Sequence, residues 1–270
     1  MTIDEKYDRL VACIAACGSA AVAFSGGVDS SFLCYAAKKA LGSRALAITV
    51  VSPMLPKSEI ECADMVARAV GIEHVLIEES EIDAQVAANP KDRCYHCKKI
   101  EFGNILRVAG ERGIAAVLDG SNMDDLGDYR PGLRALEELR IVSPLREAGL
   151  TKAEIRELSR RFGLLTWDKP AFACLASRIP YGETISREKL DRIEKAEEAL
   201  RSYGLRQFRV RSHGNIARIE VAPDERKLFF DTEILDEISR RLKSFGFLYA
   251  ALELEGYRMG SMNQEIKTKV

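Results

Sequence analysis

A glycine-rich stretch near the N-terminus, AVAFSGGVDSSFLCYAAKKA from Ala21, has residue types that suit phosphate binding. It reads as a strand, a glycine turn and a helix. Glycines directly after a buried strand let backbone N–H groups point at an anion, and the start of the next helix adds the positive end of its dipole. A Walker A loop would carry a lysine directly before its serine or threonine, whereas Ser25–Ser30 contains none. The stretch predicts phosphate binding and leaves the reaction type open.

Three of the seven cysteines are candidates for a metal, redox or sulfur-transfer site. Cys94 and Cys97 form RCYHCKK just before a predicted helix, and Cys174 lies far along the chain in a loop rich in proline. A C-x-x-C pair alone is compatible with zinc, a redox pair, an iron–sulfur cluster or no site. The third cysteine favours a shared site. The other four lie at apolar positions of predicted helices and are expected to be buried small hydrophobes: Cys13, Cys17, Cys34 and Cys62.

Two arginines alternate with apolar residues in QFRVRSH. The period of two puts Arg209 and Arg211 on one face of a predicted strand, and a phosphate accepts the fork geometry of two guanidinium groups. Ser177 and Arg178, just after Cys174, are candidates to complete this pocket. The alternative is a solvated strand face with Glu220 as a cross-strand partner.

A second loop, DGSNMDDLGDYRPG, follows a predicted buried strand at the edge where open α/β sheets bind ligands. Gly120 and Asn122 are expected to shape this loop. Each of its acids fits a turn or helix cap as well as a functional role. The candidates for Mg²⁺ or for positioning the substrate are Asp124, Asp125 and Asp128, with Arg130 for a phosphate.

The apolar runs predict the elements that must position these residues. Before residue 170, short apolar runs alternate with helical patterns, which indicates an α/β fold whose mostly parallel, doubly wound sheet is covered on both faces. Thr151 and Glu154 give a capping-box signature at the start of a helix. The predicted strands are 20–25, 45–51, 73–79, 115–121 and 140–145, and the helices lie near 29–40, 58–70, 98–112 and 151–162.

After residue 180 the pattern changes to a charged helix at 186–203, two alternating runs around HGN, a helical region at 224–245 and a final strand, FLYAALEL. The runs around HGN predict a β-hairpin, since Gly and Asn accept the positive φ of a tight turn. We therefore predict a domain at 1–170 and a smaller α+β domain at 171–270, with the Cys174 loop at its start.

Composition excludes few functions. Of the 270 residues 30% are charged, and the net charge of -1 gives no global positive field that would favour nucleic acid. No apolar run approaches the length of a membrane span, and an odd number of cysteines without an export signal fits a reducing compartment. We expect a cytoplasmic protein with no nucleic-acid or membrane partner.

SGGVDS resembles the PP-loop of ATP pyrophosphatases, which split ATP between its α and β phosphates and adenylylate an oxygen of their substrate. Together, six segments resemble the LarE family of ATP-dependent sulfur transferases, which help to make the nickel-pincer nucleotide cofactor of lactate racemase. The segments are SGGVDSSFL, NPKDRCYHCKK, DGSNMDDLGDYRPGLRALEEL, SPLREAGLTKAEIRELS, WDKPAFACLASRIPYG and RVRSHGNIARIEV. The resemblance covers nearly the whole chain and implies an adenine nucleotide alpha hydrolase-like fold.

The resemblance also implies roles for individual residues. Asp29 is the candidate that orients Mg²⁺, which neutralises the leaving pyrophosphate, although an acid at a helix start also stabilises the helix dipole. Asp125 joins Asp29 and Cys174 in the implied catalytic set. The residues implied to hold the pyrophosphate portion of ATP are Ser25, Gly26, Gly27, Val28, Asp29 and Ser30, with Gly120 as a further nucleotide contact.

The implied substrate is pyridinium-3,5-biscarboxylic acid mononucleotide, with its phosphate near Ser177, Arg178, Arg209, Arg211 and Glu220. Each carboxylate is adenylylated and then receives sulfur, which gives a thiocarboxylate and AMP. The family uses either a [4Fe-4S] cluster on three cysteines, here Cys94, Cys97 and Cys174, or a single cysteine at the position of Cys174 that becomes dehydroalanine. The family also assembles through its small domain, which implies a homo-oligomer, and transient contact with other cofactor-biosynthesis proteins is possible.

Other functions remain open at this point. Structural zinc on the three thiolates is one alternative. A PP-loop tRNA thiolase would share the ATP loop and a three-cysteine cluster, but it should carry a basic RNA-binding surface. An amidotransferase-type synthetase would not require the cysteines, and a nucleotide sensor would require neither the cysteines nor the paired arginines.

Overall fold

The computed structural model describes residues 1–127, 131–171 and 173–258, and Asp128 and Arg130 lie outside these ranges. The chain divides into two units. The first comprises Met1–Glu81 and Asp92–Phe172, and the second comprises Ile82–Lys91 and Ala173–Val270.

The helices and strands follow the alternation that the apolar runs predict for the first part of the chain. None of the helices in the described ranges is long and apolar enough to span a lipid bilayer. The elements are α1 Ile3–Ala16, β1 Ala20–Ala23, α2 Val28–Leu41, β2 Ala45–Val51, α3 Lys57–Val70, β3 Glu73–Glu78, α4 Ala84–Ala87, α5 Arg93–Glu111, β4 Ala116–Leu118, α6 Pro131–Glu138, α7 Pro144–Glu147, α8 Lys152–Arg161, α9 Arg187–Arg201, β5 Phe208–His213, β6 Ile216–Val221, α10 Thr232–Ser244 and β7 Tyr249–Leu252.

The sheet of the first unit has four parallel strands in the order β3-β2-β1-β4. This confirms the predicted α/β class. Because β1 pairs with β2 on one side and with β4 on the other, the strand order reverses beside β1. Open α/β sheets bind ligands at such a reversal, outside the carboxyl ends of the strands. The loops that follow β1 and β4 meet at this edge.

The predicted fifth strand at 140–145 is wrong: it is reduced to a single parallel bridge between Leu118 and Val142. Arg140 has a φ of 55°, which breaks the extended conformation before the bridge. Pro144 has no N–H to give to a ladder and instead begins α7. Two backbone hydrogen bonds remain, from Val142 N to Val117 O and from Asp119 N to Val142 O.

Helix α2 lies at the centre of the core of the first unit. Phe32, Leu33 and Cys34 on this helix are completely buried, so the expectation of a buried hydrophobe holds fully for Cys34. The other three cysteines placed on helices are half-buried: Cys13, Cys17 and Cys62.

The second unit contains the predicted hairpin and forms a small α+β fold. β5 and β6 pair antiparallel, Gly214 in the turn has a φ of 55°, and β7 adds to β6 in parallel. Helices α9 and α10 contribute Leu200 and Leu242 to a core that Val210 of β5 completes.

A short segment that precedes α5 belongs to the second unit, whereas the sequence boundary at residue 170 placed it in the first. The Asn89 side chain donates hydrogen bonds to the carbonyl oxygens of Ile179 (3.2 Å), Pro180 (2.7 Å) and Glu183 (3.1 Å). These bonds, across about ninety positions of sequence, attach segment 82–91 to the segment after Cys174.

Candidate functional site

The glycine loop between β1 and α2 has a backbone that only glycine accommodates at its tightest point. Gly26 has a φ of 70°, and a Cβ atom there would lie 3.0 Å from the carbonyl oxygen of Glu59 and 3.2 Å from the nitrogen of Ala63. Both atoms belong to the α3 backbone, which cannot move away as a side chain can. The loop therefore packs against α3 because residue 26 has no side chain.

A serine side chain closes the loop. Ser30 Oγ accepts a hydrogen bond from Ser25 N (3.3 Å), donates to Gly27 O (3.3 Å) and lies 3.2 Å from Ser25 Oγ, so it closes the loop on itself. The N-cap residue of α2 is Gly27, which has no side chain that could cap the helix. The first-turn N–H groups have no partner within the helix, and an anion would satisfy them.

We expect Gly26→Ala to lower the free energy of unfolding by about 1–3 kcal/mol and to weaken ATP binding, because the methyl group is strained at positive φ and collides with α3. Gly18→Ala is the matched control, since Gly18 has a φ of 73° with no atom within 4 Å of an added Cβ. Thermal unfolding and calorimetric titration with ATP measure both effects. Equal loss of stability in the two variants with unchanged ATP affinity would contradict this assignment.

Asp29 at the start of α2 faces a cation from another helix. Its Oδ2 accepts a hydrogen bond from Lys152 Nζ at the start of α8. Burial raises the pKa of the Asp29 carboxyl above its usual range, while Lys152 opposes that shift and the charge of Asp125 adds to it. A side-chain contact with Asn122 also lowers the pKa of this carboxyl, and its buried Oδ1 has no hydrogen-bond partner of good geometry among the described residues. This oxygen is suited to a metal ion.

The loop after β4 approaches the same place. A Cβ atom on Gly120 would lie 3.2 Å from Ser30 N, so this loop also needs glycine to contact the start of α2. Asp125 Oδ2 accepts a hydrogen bond from Asn122 N (2.9 Å), and Asp124 Oδ2 accepts one from the backbone of Lys152 (2.9 Å). Asp124 and Asp125 thus both make the turn or helix-cap contacts that are the alternative to a functional role.

Cys94 and Cys97 lie in the first two turns of α5, not before it, because the helix begins at Arg93. Residues three apart are neighbours on a helix surface, so the two thiols share a face. Helix α6 supports this turn, since Glu138 accepts hydrogen bonds from Tyr95 (2.8 Å) and Lys99 (3.1 Å). Cys94 is exposed and Cys97 is half-buried.

Cys174, in the second unit, is exposed and begins the 3₁₀ turn Leu175–Arg178. The Arg178 side chain is completely buried under this turn. Its Nη1 donates to the carbonyl oxygens of Ala173 (2.6 Å) and Cys174 (3.0 Å), and its Nε and Nη2 donate to Glu197 (2.8 and 2.9 Å). Arg178 therefore fixes the backbone that carries Cys174, whatever else it contacts.

The residues of the predicted arginine pocket all lie in the second unit. Arg209 and Arg211 are only 4% and 7% exposed, so this face is not solvated, but Glu220 is the cross-strand partner that the alternative predicts. Arg211 donates to both oxygens of Glu220 (2.9 and 2.8 Å) and to Ser177 O (2.7 Å). Burial, followed by the charge of Arg178, lowers the pKa of Arg209 to about 10. The charge of Arg211 adds to this shift, and those of Glu197 and Tyr257 oppose it.

None of the seven cysteines forms a disulfide. Within residues 1–127, 131–171 and 173–258 no three His, Cys, Asp or Glu side chains are grouped so that they could hold a metal ion. The thiols of Cys94 and Cys97 lie in the first unit and that of Cys174 in the second.

Residues 5–120 match the family described as asparagine synthase. The chain is 43% identical to the uncharacterized protein slr1717 of Synechocystis sp., over 97% of this chain and 98% of that protein. It is 35% identical to the pyridinium-3,5-bisthiocarboxylic acid mononucleotide synthase of Lactiplantibacillus plantarum, over 98% of this chain and 96% of that enzyme. The chain belongs to the LarE family.

LarE-family membership makes the chain an ATP-dependent sulfurtransferase with a PP-loop. A more distant match, 30% identical to the tRNA-specific 2-thiouridylase MnmA of Rickettsia felis, spans 55% of this chain and 51% of that enzyme. The glycine loop after β1, whose helix start is uncapped and lies beside a buried carboxylate, is where the sequence predicts the nucleotide site.

Sequence reasoning missed two charged residues of this LarE-family chain. Lys152 follows the Thr151 cap at the start of α8. In the sequence, a lysine in the first turn of a helix cannot be distinguished from an ordinary solvated lysine. Glu197 is 3% exposed on α9, where the charged sequence predicts a solvated face. Only the three-dimensional contacts assign Lys152 to Asp29 and Glu197 to Arg178.

Proposed function

We propose that this chain uses ATP to adenylylate the carboxylates of pyridinium-3,5-biscarboxylic acid mononucleotide and then inserts sulfur to give thiocarboxylates. The observation that carries the proposal is the full-length similarity to the Lactiplantibacillus plantarum enzyme named for the bisthiocarboxylic acid product. Adenylylation replaces a poor leaving group with a good one. AMP departs from the acyl-adenylate far more readily than hydroxide departs from a carboxylic acid.

The chain's own groups suit the first half of this reaction. The uncapped N–H groups of α2 would bind the pyrophosphate portion of ATP, and Lys152 would hold Asp29 in its ionised form. The buried Oδ1 of Asp29 fits a hard cation, with Asp125 as a second carboxylate near it. Mg²⁺, when bound there, would neutralise charge on the departing pyrophosphate.

The pocket around β5 suits the phosphate of the mononucleotide. Arg178, Arg209 and Arg211 are buried in the same unit and the charges of Arg178 and Arg211 lower the pKa of Arg209, so a dianionic phosphate would lower the electrostatic cost of keeping the three together. Ser177 adds a hydroxyl beside Arg178 at 2.9 Å. Because Cys174 begins the same turn, a substrate held by its phosphate would lie close to that thiol.

We expect Arg211→Ala to weaken mononucleotide binding about tenfold or more and to leave ATP binding unchanged, because a charge-assisted contact to phosphate is lost. Arg218→Ala is the matched control: Arg218 also donates to Glu220 (2.8 Å), but its side chain is 39% exposed. Calorimetric titration with each ligand measures the effect. A loss of ATP affinity with intact mononucleotide affinity would contradict the assignment.

For the second half of the reaction we propose that Cys94, Cys97 and Cys174 hold a [4Fe-4S] cluster. Two features fit thiolate ligands. Cys94 and Cys97 are neighbours on the surface of α5, and Cys94 and Cys174 are exposed. Such a cluster, when bound, supplies an iron without a protein ligand that can take up external sulfide. No protein sulfur is then consumed.

The alternative is that Cys174 gives up its own sulfur and becomes dehydroalanine. Iron and sulfide analysis of anaerobically purified protein, with a near-UV and visible spectrum, distinguishes the two mechanisms. The proposal predicts a brown protein whose mass is unchanged by turnover. A colourless protein after reconstitution, lighter after turnover by the mass of hydrogen sulfide, would support sacrifice of Cys174.

A PP-loop tRNA thiolase is the second candidate function, supported by the similarity to the Rickettsia felis enzyme. The net charge of -1 does not favour a polyanion. Release of AMP and pyrophosphate measured with the mononucleotide, with tRNA and with ammonia separates the candidates. We expect release that depends on the mononucleotide alone, and dependence on tRNA would contradict the proposal.

We further propose a cytoplasmic homo-oligomer that assembles through the second unit and contacts other cofactor-biosynthesis proteins transiently. Phe230, Leu254 and Tyr249 of that unit are 85%, 80% and 64% exposed. Contact of these apolar side chains with water is unfavourable, and burial in an interface would remove it. Light scattering coupled to gel filtration measures the assembly.

A further inference from the structure

Lys169 is a partly buried lysine that neither the sequence pattern nor the proposed reaction uses. Its side chain is 17% exposed, and its Nζ donates hydrogen bonds to the carbonyl oxygen of Gly26 (2.9 Å) and to Oε2 of Glu59 (2.9 Å). The Sγ of Cys62 lies 3.1 Å from the same nitrogen. One ammonium group thus joins the glycine loop to a buried carboxylate of α3.

The backbone of Lys169 is itself held by helix α8. Arg156 donates from Nη1 to Trp167 O (2.7 Å) and from Nη2 to Lys169 O (2.6 Å). Arg156 lies four residues after Lys152, which pairs with Asp29, so both residues are on one face of α8. Helix α8 therefore contacts one end of the glycine loop through Lys152 and the other end through Arg156 and Lys169.

The contact with Gly26 fixes the direction of a peptide group. A trans peptide is planar, so the carbonyl of Gly26 and the N–H of Gly27 point in opposite directions. While Lys169 holds the carbonyl on the α3 side, the Gly27 N–H must point away from that side. Without this anchor, two adjacent glycines would sample several peptide orientations at little cost.

We propose that Lys169 is a positioning residue for the nucleotide loop: it orients the Gly26–Gly27 peptide so that its N–H donates to the pyrophosphate portion of ATP. The ammonium group also polarises this peptide, which strengthens the N–H as a donor. Glu59, 7% exposed, holds the Lys169 side chain in place through its hydrogen bond. The inference rests on ATP use and is independent of which carboxylated substrate or sulfur source the chain uses.

The test compares ligands that do and do not reach the glycine loop. Equilibrium affinities for ATP, inorganic pyrophosphate and AMP, each with Mg²⁺ and without mononucleotide, are measured on the full chain, on Lys169→Met and on Lys169→Arg. Lys6→Met is the matched control. Lys6 is 18% exposed and pairs with Glu154 at 2.7 Å, so it is a lysine of the same unit with similar exposure, in an ion pair away from the loop.

We expect Lys169→Met to weaken ATP and pyrophosphate binding about tenfold or more and to leave AMP binding unchanged, since one oriented donor to a charged group is lost. Lys169→Arg should recover most of the affinity, and Lys6→Met should bind all three ligands as the wild type does. Thermal unfolding is recorded for each variant. If Lys169→Met does not fold, Glu59→Gln, which weakens the anchor and keeps an acceptor, should show the same selective loss.

Equal loss for ATP and AMP, or unchanged ATP affinity in a folded Lys169→Met, would overturn the positioning role and reduce Lys169 to a structural ion pair. A wild-type chain that bound no ATP would overturn the ATP-dependent function itself, and the inference with it. A wild type that binds ATP but does not act on the mononucleotide would contradict the proposed substrate and leave the ligand-selective test of Lys169 valid.

Discussion

Replacement of Cys174 by serine will stop sulfur transfer, while release of pyrophosphate from ATP continues in the presence of the mononucleotide. The physical reason is that activation and sulfur delivery use different groups. The glycine loop and Asp29 lie in the first unit, whereas Cys174 lies in the second, on a turn held by Arg178. A hydroxyl group of similar size preserves that turn, but it neither binds iron as a thiolate does nor supplies sulfur.

Substitution of two further cysteines distinguishes sulfur transfer by a cluster from sacrifice of Cys174. Cys94→Ser should also stop multiple turnover if a cluster carries the sulfur, but it should leave a single turnover intact if Cys174 is consumed. Cys13→Ser is the matched control, because Cys13 is a half-buried thiol on α1 with no proposed role. Thiocarboxylate product by mass spectrometry and pyrophosphate release are measured together. Persistent product formation by Cys174→Ser would contradict both sulfur mechanisms.

Asp29→Asn will lower the rate of pyrophosphate release about a hundredfold or more, with sulfur transfer falling in parallel because no acyl-adenylate forms. Asparagine keeps the shape of the side chain but removes the charge. Lys152 then has no counter-ion at the loop, and the buried oxygen loses its attraction for a cation. Initial rates at saturating ATP and varied Mg²⁺ measure the change.

Asp124→Asn is the control for this substitution. Asp124 accepts a hydrogen bond from the backbone of Lys152, so its loss removes a cap of α8 and should cost about 1 kcal/mol of stability. Its effect on the rate should be several-fold at most. If Asp29→Asn retained the wild-type rate, Asp29 would be only a helix-start acid that stabilises the dipole.

Local patterns predicted most of the framework. β2 at Ala45–Val51 and the capping box of Thr151 and Glu154 match their sequence signals, because an apolar run and an S/T-x-x-E motif act over a few residues. The hairpin of β5 and β6 follows from its alternation and its glycine turn. The failed strand at 140–145 shows the limit of such patterns, since Pro144 competes with the apolar signal.

The long-range contacts around the glycine loop lie beyond local patterns. Lys152 and Asp29 are 123 positions apart, and Lys169 and Gly26 are 143 apart. No periodicity carries information over such separations, because the pairing depends on how α8 and the segment after it pack on α2 and α3. The arginine pair of β5 was predictable from its period of two, but its burial and its bond to Glu220 were not.

Anaerobic turnover with ATP, mononucleotide and sulfide, followed by mass spectrometry of both the product and the intact protein, tests the central claim most directly. The account predicts a product heavier by the difference between sulfur and oxygen for each carboxylate converted, strict dependence on ATP, formation of AMP, and a protein of unchanged mass. A mononucleotide recovered unchanged while the protein is folded and binds ATP would contradict it.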